Sequence, residues 1–276
     1  MMDTVILSWV TFIYFGSFVC YLVRMIRESE LWGRIATAVA SIGLLAQTVG
    51  IIMRWKISYD LGIGHIPLSN FYESLIFFAW AVIFLYLIIE WRTKNRALGT
   101  FVVPVAFLSM AFASLSPKVS SRIQPLIPAL QSNWLTSHVV SCFLGYAAFT
   151  AAFGLGIMYL LKANKDRDVN TRFGFYPSLD ILNELIYQCT VLGFVFLSIG
   201  ILTGSVWAHY AWGSYWSWDP KETWSLITWL IYAAMLHAHL VRGWQGEKMA
   251  VMAIVGFASV LFTYLGVNYL PGLHSY

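Results

Sequence analysis

Residues 185–206 read LIYQCTVLGFVFLSIGILTGSV and contain no charged side chain. A membrane-spanning helix needs about 20 mostly apolar residues, so this stretch predicts a helix that crosses a lipid bilayer. Seven further apolar segments of similar length occur in the 276-residue chain. The eight predicted spans are Thr4–Val23, Ile35–Met53, Phe71–Ile89, Ala97–Leu115, Val139–Leu161, Leu185–Val206, Ser225–Val241 and Met249–Leu270.

The composition of the whole chain supports the same fold class. Hydrophobic residues make up 59% of the chain and charged residues 11%, whereas soluble domains average about 45–50% and about 25%. A soluble enzyme and a disordered chain are both poor matches to these values. We therefore expect one integral membrane domain over residues 1–276, built as an all-α polytopic bundle of about eight helices. The first span lacks a basic leader and a cleavage site, which favours a retained helix over a signal peptide.

The distribution of lysine and arginine predicts the orientation of the bundle. Alternate connections and helix ends carry 12 of these residues on one side and 5 on the other. Because basic residues concentrate in cytoplasmic loops, we expect both termini and the connection around residues 207–224 to be extracytoplasmic.

Several function classes have little support in the sequence. No charged side chain lies in the middle of a predicted span, which weakens an ion-driven carrier. Nucleotide-binding motifs and blocks of like charge are absent from the sequence, so neither nucleotide hydrolysis nor nucleic-acid binding is expected. The three cysteines, Cys20, Cys142 and Cys189, lie in apolar stretches without a C-x-x-C pair and are expected to be small buried residues.

Histidines are the remaining candidates for metal or cofactor chemistry. His237 and His239 lie within the seventh span and point about 200° apart on a helix, so they cannot both face one cavity. A histidine in a span can bind a ligand or form an interhelical hydrogen bond, and the sequence leaves both alternatives open. His138 and His274 flank spans at the outer surface, where they could share one iron, although spacing alone does not show it. His65 and His209 also map to the outer side.

Tryptophan is concentrated in one outward segment, residues 207–224. Five of the chain's 13 tryptophans fall there: Trp207, Trp212, Trp216, Trp218 and Trp224. Interfacial aromatic belts are common in membrane proteins, but a belt does not require this density in one connection. Aromatic faces also line pockets for flat, largely apolar ligands, so a porphyrin or, less well, a quinone fits this segment.

The end of the same segment carries a helix-start signal. Asp219 suits the N-cap position, Pro220 the first helical position and Glu222 the third, which together form a capping box. The seventh helix is therefore predicted to begin at Pro220. Gly213 permits a tight turn or the close approach of a ligand.

Three stretches carry a resemblance to a known family. Residues 212–229, WGSYWSWDPKETWSLITW, closely resemble the tryptophan-rich WWD signature of haem-handling membrane proteins. Residues 64–75, GHIPLSNFYESL, and residues 266–276, GVNYLPGLHSY, resemble the third-helix entry and the C-terminal ending of the CcsA/ResC family. The resemblance covers roughly residues 60–276.

The resemblance implies a role in system II cytochrome c biogenesis with a second membrane protein, CcsB (ResB). Haem of the b type would be bound transiently, moved outward and presented for thioether attachment to the C-x-x-C-H motif of apocytochrome c. By motif, His138 and His274 match the external axial pair and His237 the transmembrane histidine. The haem platform would comprise Trp207, Trp212, Gly213, Trp216, Trp218, Asp219 and Trp224. His209 and His239 have no counterpart that can be placed.

The resemblance also sets the expected location and the alternatives. The site would face the outside of a bacterial plasma membrane or the lumen of a thylakoid. The chain would be a subunit of a cytochrome c synthase (haem lyase) without an acid or base of its own. One alternative is a haem exporter or chaperone that supplies a separate ligase. A second is a redox subunit with permanent b-type haem or a quinone-binding anchor.

Overall fold

The computed structural model describes residues 2–126, 131–166 and 176–270, and all regular elements in these ranges are helical. The helices are α1 (Met2–Arg27), α2 (Glu30–Asp60), α3 (Phe71–Thr93), α4 (Gly99–Leu115), α5 (Asn133–Asp166), α6 (Leu179–Trp212), α7 (Pro220–Arg242) and α8 (Glu247–Tyr264). A short 3-10 helix, Gly266–Tyr269, follows α8. Seven of the helices are long and apolar enough to cross a membrane, and α4 is shorter. The prediction of an all-α, multi-pass membrane protein is confirmed.

The helices run past most of the predicted spans into polar sequence. For example, α2 occupies residues 30–60 where a span of 35–53 was predicted. A helix satisfies its own backbone hydrogen bonds, so it can continue beyond the apolar stretch that crosses the lipid. The last predicted span is the exception. It was expected to continue to Leu270, but α8 ends at Tyr264 and a 3-10 helix follows. The predicted orientation of the termini stays a prediction.

Two compact units divide the chain, residues 1–131 and 132–276. The first contains α1 to α4 and the second contains α5 to α8. The expectation of one integral membrane domain stays a prediction.

Buried ion pairs join the helices of the first unit. The sequence had predicted basic residues only in connections and at helix ends. Arg54 lies on α2 and is 2% exposed. Its guanidinium donates to Asp3 of α1 at 3.1 Å and to Glu73 of α3 at 2.8 Å. The ring of Tyr72 lies 5.1 Å from the guanidinium carbon. These contacts join three helices, and each buried charge has an oppositely charged neighbour, as burial requires.

The second unit depends on small residues that let helices approach closely. A Cβ added to Gly145 of α5 would lie 3.1 Å from the carbonyl oxygen of Gly193 on α6. A Cβ added to Gly156 would lie 2.8 Å from the carbonyl oxygen of Ala250 on α8. Such close backbone packing is typical of helices in membranes. It fixes the position of α5, whose first turns carry the candidate site.

The three cysteines are free thiols. Cys142 and Cys189 are buried, as expected, but Cys20 is only half-buried. The expectation of burial was therefore wrong for Cys20, because the apolar pattern of α1 does not distinguish its packed face from its exposed face.

Candidate functional site

The aromatic segment of residues 207–224 is helical at both ends. Trp207–Trp212 complete α6, and Pro220–Trp224 begin α7, so only residues 213–219 form a connection. Gly213 ends α6 in the left-handed conformation, with φ of 79°, and its N–H donates to the carbonyl of His209 at 2.8 Å. The turn predicted at Gly213 is therefore a helix C-cap of the common glycine type.

The predicted capping box is present at the start of α7. The Asp219 carboxylate accepts from the backbone N–H of Lys221 at 2.9 Å, and Pro220 occupies the first turn. The Glu222 carboxylate accepts from the backbone N–H groups of Asp219 and Ser217 at 3.2 and 2.7 Å. Both acids are therefore held by backbone N–H groups of the connection and of the first turn of α7. Asp219 is 6% exposed, so its carboxylate positions the connection rather than projecting from it.

Trp218 has a backbone conformation that the sequence reading did not predict. Its φ is 59°, which is unusual for a bulky residue. The Glu222 carboxylate accepts from the residues on both sides, Ser217 and Asp219, and so fixes this conformation. The Trp218 side chain is 69% exposed. The capping box therefore holds a strained backbone that projects an indole outward, a combination found at functional sites.

The five tryptophans form separate contacts. Trp207 is 3% exposed and meets Trp212 edge to face, with ring centroids 4.8 Å apart. Trp216 and Trp218 form a second perpendicular pair at 5.8 Å. Trp224 packs against Phe262 of α8 at 4.1 Å. The prediction that all five belong to one platform stays a prediction.

His138 lies in the second turn of α5 and contacts α6. Its Nδ1 is 2.7 Å from the carbonyl oxygen of Gly200. A carbonyl oxygen only accepts hydrogen bonds, so Nδ1 carries a proton, and in the neutral imidazole Nε2 then has the lone pair. The imidazole lies almost parallel to the ring of Trp207, with an interplanar angle of 15° and a centroid distance of 6.2 Å. The arrangement fixes the imidazole beside an aromatic face and makes Nε2 the nitrogen that a metal could reach.

Two glycines of α6 make this position of His138 possible. A Cβ on Gly204 would lie 2.5 Å from Nδ1 of His138, and a Cβ on Gly200 would lie 2.5 Å from Sγ of Cys142. The Cys142 sulfur is itself 3.7 Å from Nδ1. Sequence reasoning missed both glycines. Their G-x-x-x-G spacing within the sixth span was the available signal.

The proposed axial partner of His138 lies outside the described residues, because the structure stops at residue 270 and the histidine is His274. Within residues 2–126, 131–166 and 176–270, no group of three or more His, Cys, Asp or Glu side chains is arranged to hold a metal ion. The His138–His274 pairing stays a prediction.

His237 and His239 have different surroundings, in line with their opposite directions on α7. His237 is exposed and lies 17 residues after the start of the helix, which corresponds to about 26 Å along its axis. His239 is half-buried, donates from Nδ1 to the carbonyl of Trp244 at 2.7 Å, and stacks on Tyr187 of α6 at 4.4 Å. His239 therefore supports the turn between α7 and α8, whereas His237 faces away from its own unit.

The remaining outer histidines are held by local structure. The two ring nitrogens of His65 lie 2.9 Å from the carbonyl oxygen of Ile66 and 3.2 Å from that of Gln124. The ring of His209 stacks on Tyr215 at 4.3 Å. His65 thereby links the segments that follow α2 and α4, and His209 supports the aromatic connection.

Together, the fold and the site define a multi-pass helical membrane protein with an aromatic segment and an oriented histidine at one end of a four-helix unit. Residues 68–274 match the family model of the cytochrome C assembly protein. Since the match covers most of the chain, the chain belongs to the CcsA family of cytochrome c assembly proteins.

Several curated relatives are named cytochrome c biogenesis protein CcsA. The protein from Chlamydomonas reinhardtii is 47% identical over 82% of this chain and 64% of its own length. The Pyropia yezoensis protein is 41% identical, covering 88% and 87%. The Marchantia polymorpha protein is 39% identical, covering 98% and 94%. The chain therefore spans less than two thirds of the Chlamydomonas relative but most of the other two.

A solved structure, named cytochrome c haem lyase CcmF, has a similar fold. The TM-score is 0.69 at 18% identity, and the match covers 95% of this chain and 46% of the solved one. At this identity the likeness shows a shared fold.

Proposed function

We propose that this chain binds haem at its extracytoplasmic end and presents it for covalent attachment to apocytochrome c. The observation that carries the proposal is the state of His138. The Nδ1–H of its imidazole donates to the Gly200 carbonyl, so Nε2 is the nitrogen left to bind a metal, and the ring lies beside Trp207. Histidines that ligate metals usually donate their second nitrogen in this way, which fixes the ring and raises the basicity of the ligating nitrogen.

The aromatic segment supports haem as the ligand. A porphyrin is flat and largely apolar, and pockets for such ligands are lined by aromatic side chains with few polar groups. Trp207 lies beside His138 near the end of α6, Trp212 packs against Trp207, and Trp218 projects from the connection. These indoles offer ring faces and edges of the kind that favour aromatic contact.

The chemistry assigned to the chain is positioning. With His138 and His274 as axial ligands, bound haem would keep its vinyl groups accessible. Each cysteine thiol of apocytochrome c then adds across a vinyl group, so that a carbon–sulfur bond and a carbon–hydrogen bond form without a leaving group. The nucleophile comes from the apocytochrome, and the chain supplies orientation and proximity. In this assignment the chain is a haem lyase subunit without an acid or base of its own.

His237 supports a second, inner haem site formed with a CcsB partner. It lies on one face of α7 with Leu230, Ala234 and Val241, and all four side chains are exposed in the isolated chain. An imidazole that faces lipid is unfavourable, and a partner helix or a ligand that covers this face removes the cost. The name of the relatives, cytochrome c biogenesis protein, supports a role of the chain in cytochrome c biogenesis.

The test is to express the chain with CcsB and a C-x-x-C-H reporter in a bacterial plasma membrane. His138→Ala and His274→Ala should each abolish covalent haem attachment, and added imidazole should restore part of it by filling the vacated ligand position. His209→Ala is the matched control, since this histidine stacks on Tyr215 in the same segment. Full attachment in the His138 variant without imidazole would refute the axial assignment. Haem binding without thioether formation in the unsubstituted chain would instead favour a haem exporter.

A further inference from the structure

Trp218 has a left-handed backbone at a place where such a conformation is unusual. Among the described residues other than glycine, positive φ occurs at Glu28, Lys94 and Trp218. Glu28 directly follows α1 and Lys94 is the C-cap of α3, and a left-handed residue after a helix is common. Trp218 instead comes directly before the N-cap of α7. Its Cβ makes the conformation unfavourable, so neighbouring groups must hold it.

One oxygen of the Glu222 carboxylate binds both neighbours of Trp218. Oε2 accepts from the backbone N–H and the hydroxyl of Ser217 at 2.7 and 3.1 Å, and from the backbone N–H of Asp219 at 3.2 Å. The hydroxyl of Thr223 donates to the carbonyl of Trp218 at 3.2 Å. The first turn of α7 therefore fixes the backbone before, at and after Trp218.

These hydrogen bonds exceed what the start of a helix needs. In a capping box, the third helical residue accepts from the backbone N–H of the N-cap residue, which here is Asp219. The two bonds from Ser217 lie outside that motif, and the backbone bond among them is shorter than the bond from Asp219. Because they fix the residue before Trp218, they set the direction in which the indole leaves the chain.

The indole that is oriented in this way is exposed. Trp218 is 69% exposed, and its ring meets the ring of Trp216 edge to face, with centroids 5.8 Å apart. Packing determines the direction of a buried side chain, whereas the backbone determines that of an exposed one. The unit thus maintains an unfavourable backbone conformation for a side chain that is largely exposed in the isolated chain. Strain of this kind is typical of ligand contacts.

We infer that Glu222 is a positioning residue for haem binding, which acts by holding the Trp218 indole where it contacts the porphyrin ring. This inference rests on the proposed function. Indole edges and faces make favourable contacts with flat aromatic rings. A side chain that is already oriented loses less conformational freedom when the ligand binds. Glu222 itself touches only the connection and so contributes to haem binding through Trp218.

The experiment measures haem binding by absorbance titration of the purified full chain in a His237→Ala background, which removes the inner histidine. Trp218→Ala should weaken binding about tenfold, the size of one aromatic contact. Glu222→Met should weaken binding by a similar factor, because the indole is present but no longer held. The double variant should bind no more weakly than Trp218→Ala, since two residues that act through one contact are not additive.

Two conservative substitutions separate the reach of Glu222 from its charge. Glu222→Gln keeps an oxygen that can accept from Ser217 and Asp219, so it should keep most of the affinity. Glu222→Asp keeps the charge, but its carboxylate is one methylene too short to reach Ser217, so it should weaken binding as Glu222→Met does. Ser178→Ala is the matched control, because it removes the N-cap hydrogen bond of α6 in the same unit. It should lower the unfolding temperature without changing haem affinity.

The outcomes separate the two proposals. If Glu222→Met binds haem normally, or weakens binding further in the Trp218→Ala background, Glu222 does not act through the indole and the inference is wrong. Normal haem affinity in Trp218→Ala would also overturn it. If His138→Ala leaves the binding and spectrum of haem unchanged, the outer haem site itself is wrong, whatever Glu222 does.

Discussion

Replacing Gly204 by alanine tests whether the position of His138 matters for function. The added Cβ would lie 2.5 Å from Nδ1, 2.8 Å from Cε1 and 3.3 Å from Cγ of the imidazole. Non-bonded heavy atoms prefer separations of about 3.5–4.0 Å, so the ring must move by about 1 Å. That shift pulls Nδ1 away from the Gly200 carbonyl, now 2.7 Å away, and turns the ring relative to Trp207.

The expected loss of function follows from this displacement. A misplacement of about 1 Å in a positioning group can reduce a rate by about a hundredfold. We therefore expect the Gly204→Ala yield of covalent holocytochrome to fall by about tenfold to a hundredfold. The assay is haem staining of the C-x-x-C-H reporter, normalised to the amount of protein in the membrane. The absorbance spectrum of haem bound to the purified variant reports the ligand geometry directly.

Two other glycines serve as controls for Gly204. Gly16 lies inside α1 and has nothing within 4 Å of an added Cβ, so Gly16→Ala should leave the yield unchanged. Gly256 is as crowded as Gly204, with an added Cβ 2.7 Å from Cζ of Tyr232. Gly256→Ala should cost about 1–3 kcal/mol of stability without altering the haem spectrum. A Gly204→Ala protein with normal yield and a normal spectrum would refute the reasoning.

Three further predictions test the surrounding structure. Asp219→Asn should retain activity because asparagine is an equally good N-cap, whereas Asp219→Ala should lower the unfolding temperature in detergent, reflecting about 1 kcal/mol; equal losses in both would contradict a capping role. Arg54→Met should destabilise the first unit by about 3–5 kcal/mol, because Asp3 and Glu73 are left buried without their cation; normal accumulation in membranes would disprove this. Trp207→Leu should weaken haem binding more than Trp224→Leu, since only Trp207 lies beside His138; the reverse order in absorbance titrations would count against the site.

The sequence was sufficient for the elements whose signals are local. Eight apolar segments predict the helices because each spanning helix must satisfy its backbone hydrogen bonds within itself. The start of α7 was also predictable, since Asp219, Pro220 and Glu222 act on the adjacent backbone. The family resemblance was carried by contiguous motifs, and the match over residues 68–274 confirms it.

The arrangement of the candidate site depends on contacts between distant segments. The sequence placed His138 at the outer surface, but only the packing of α5 on α6 shows the hydrogen bond to Gly200 and the parallel ring of Trp207. The different surroundings of His237 and His239 likewise follow from the face of α7 that is packed.

The sequence alone determined the class of protein, its helices and the residue types available for haem. The tertiary structure decided that Nδ1 of His138 donates to the Gly200 carbonyl, and it placed the Trp207 ring beside the imidazole. The physical reason is that apolar length and capping are set by neighbouring residues along the chain. The tautomer and partner of a side chain are instead set by whatever another helix brings within hydrogen-bonding distance.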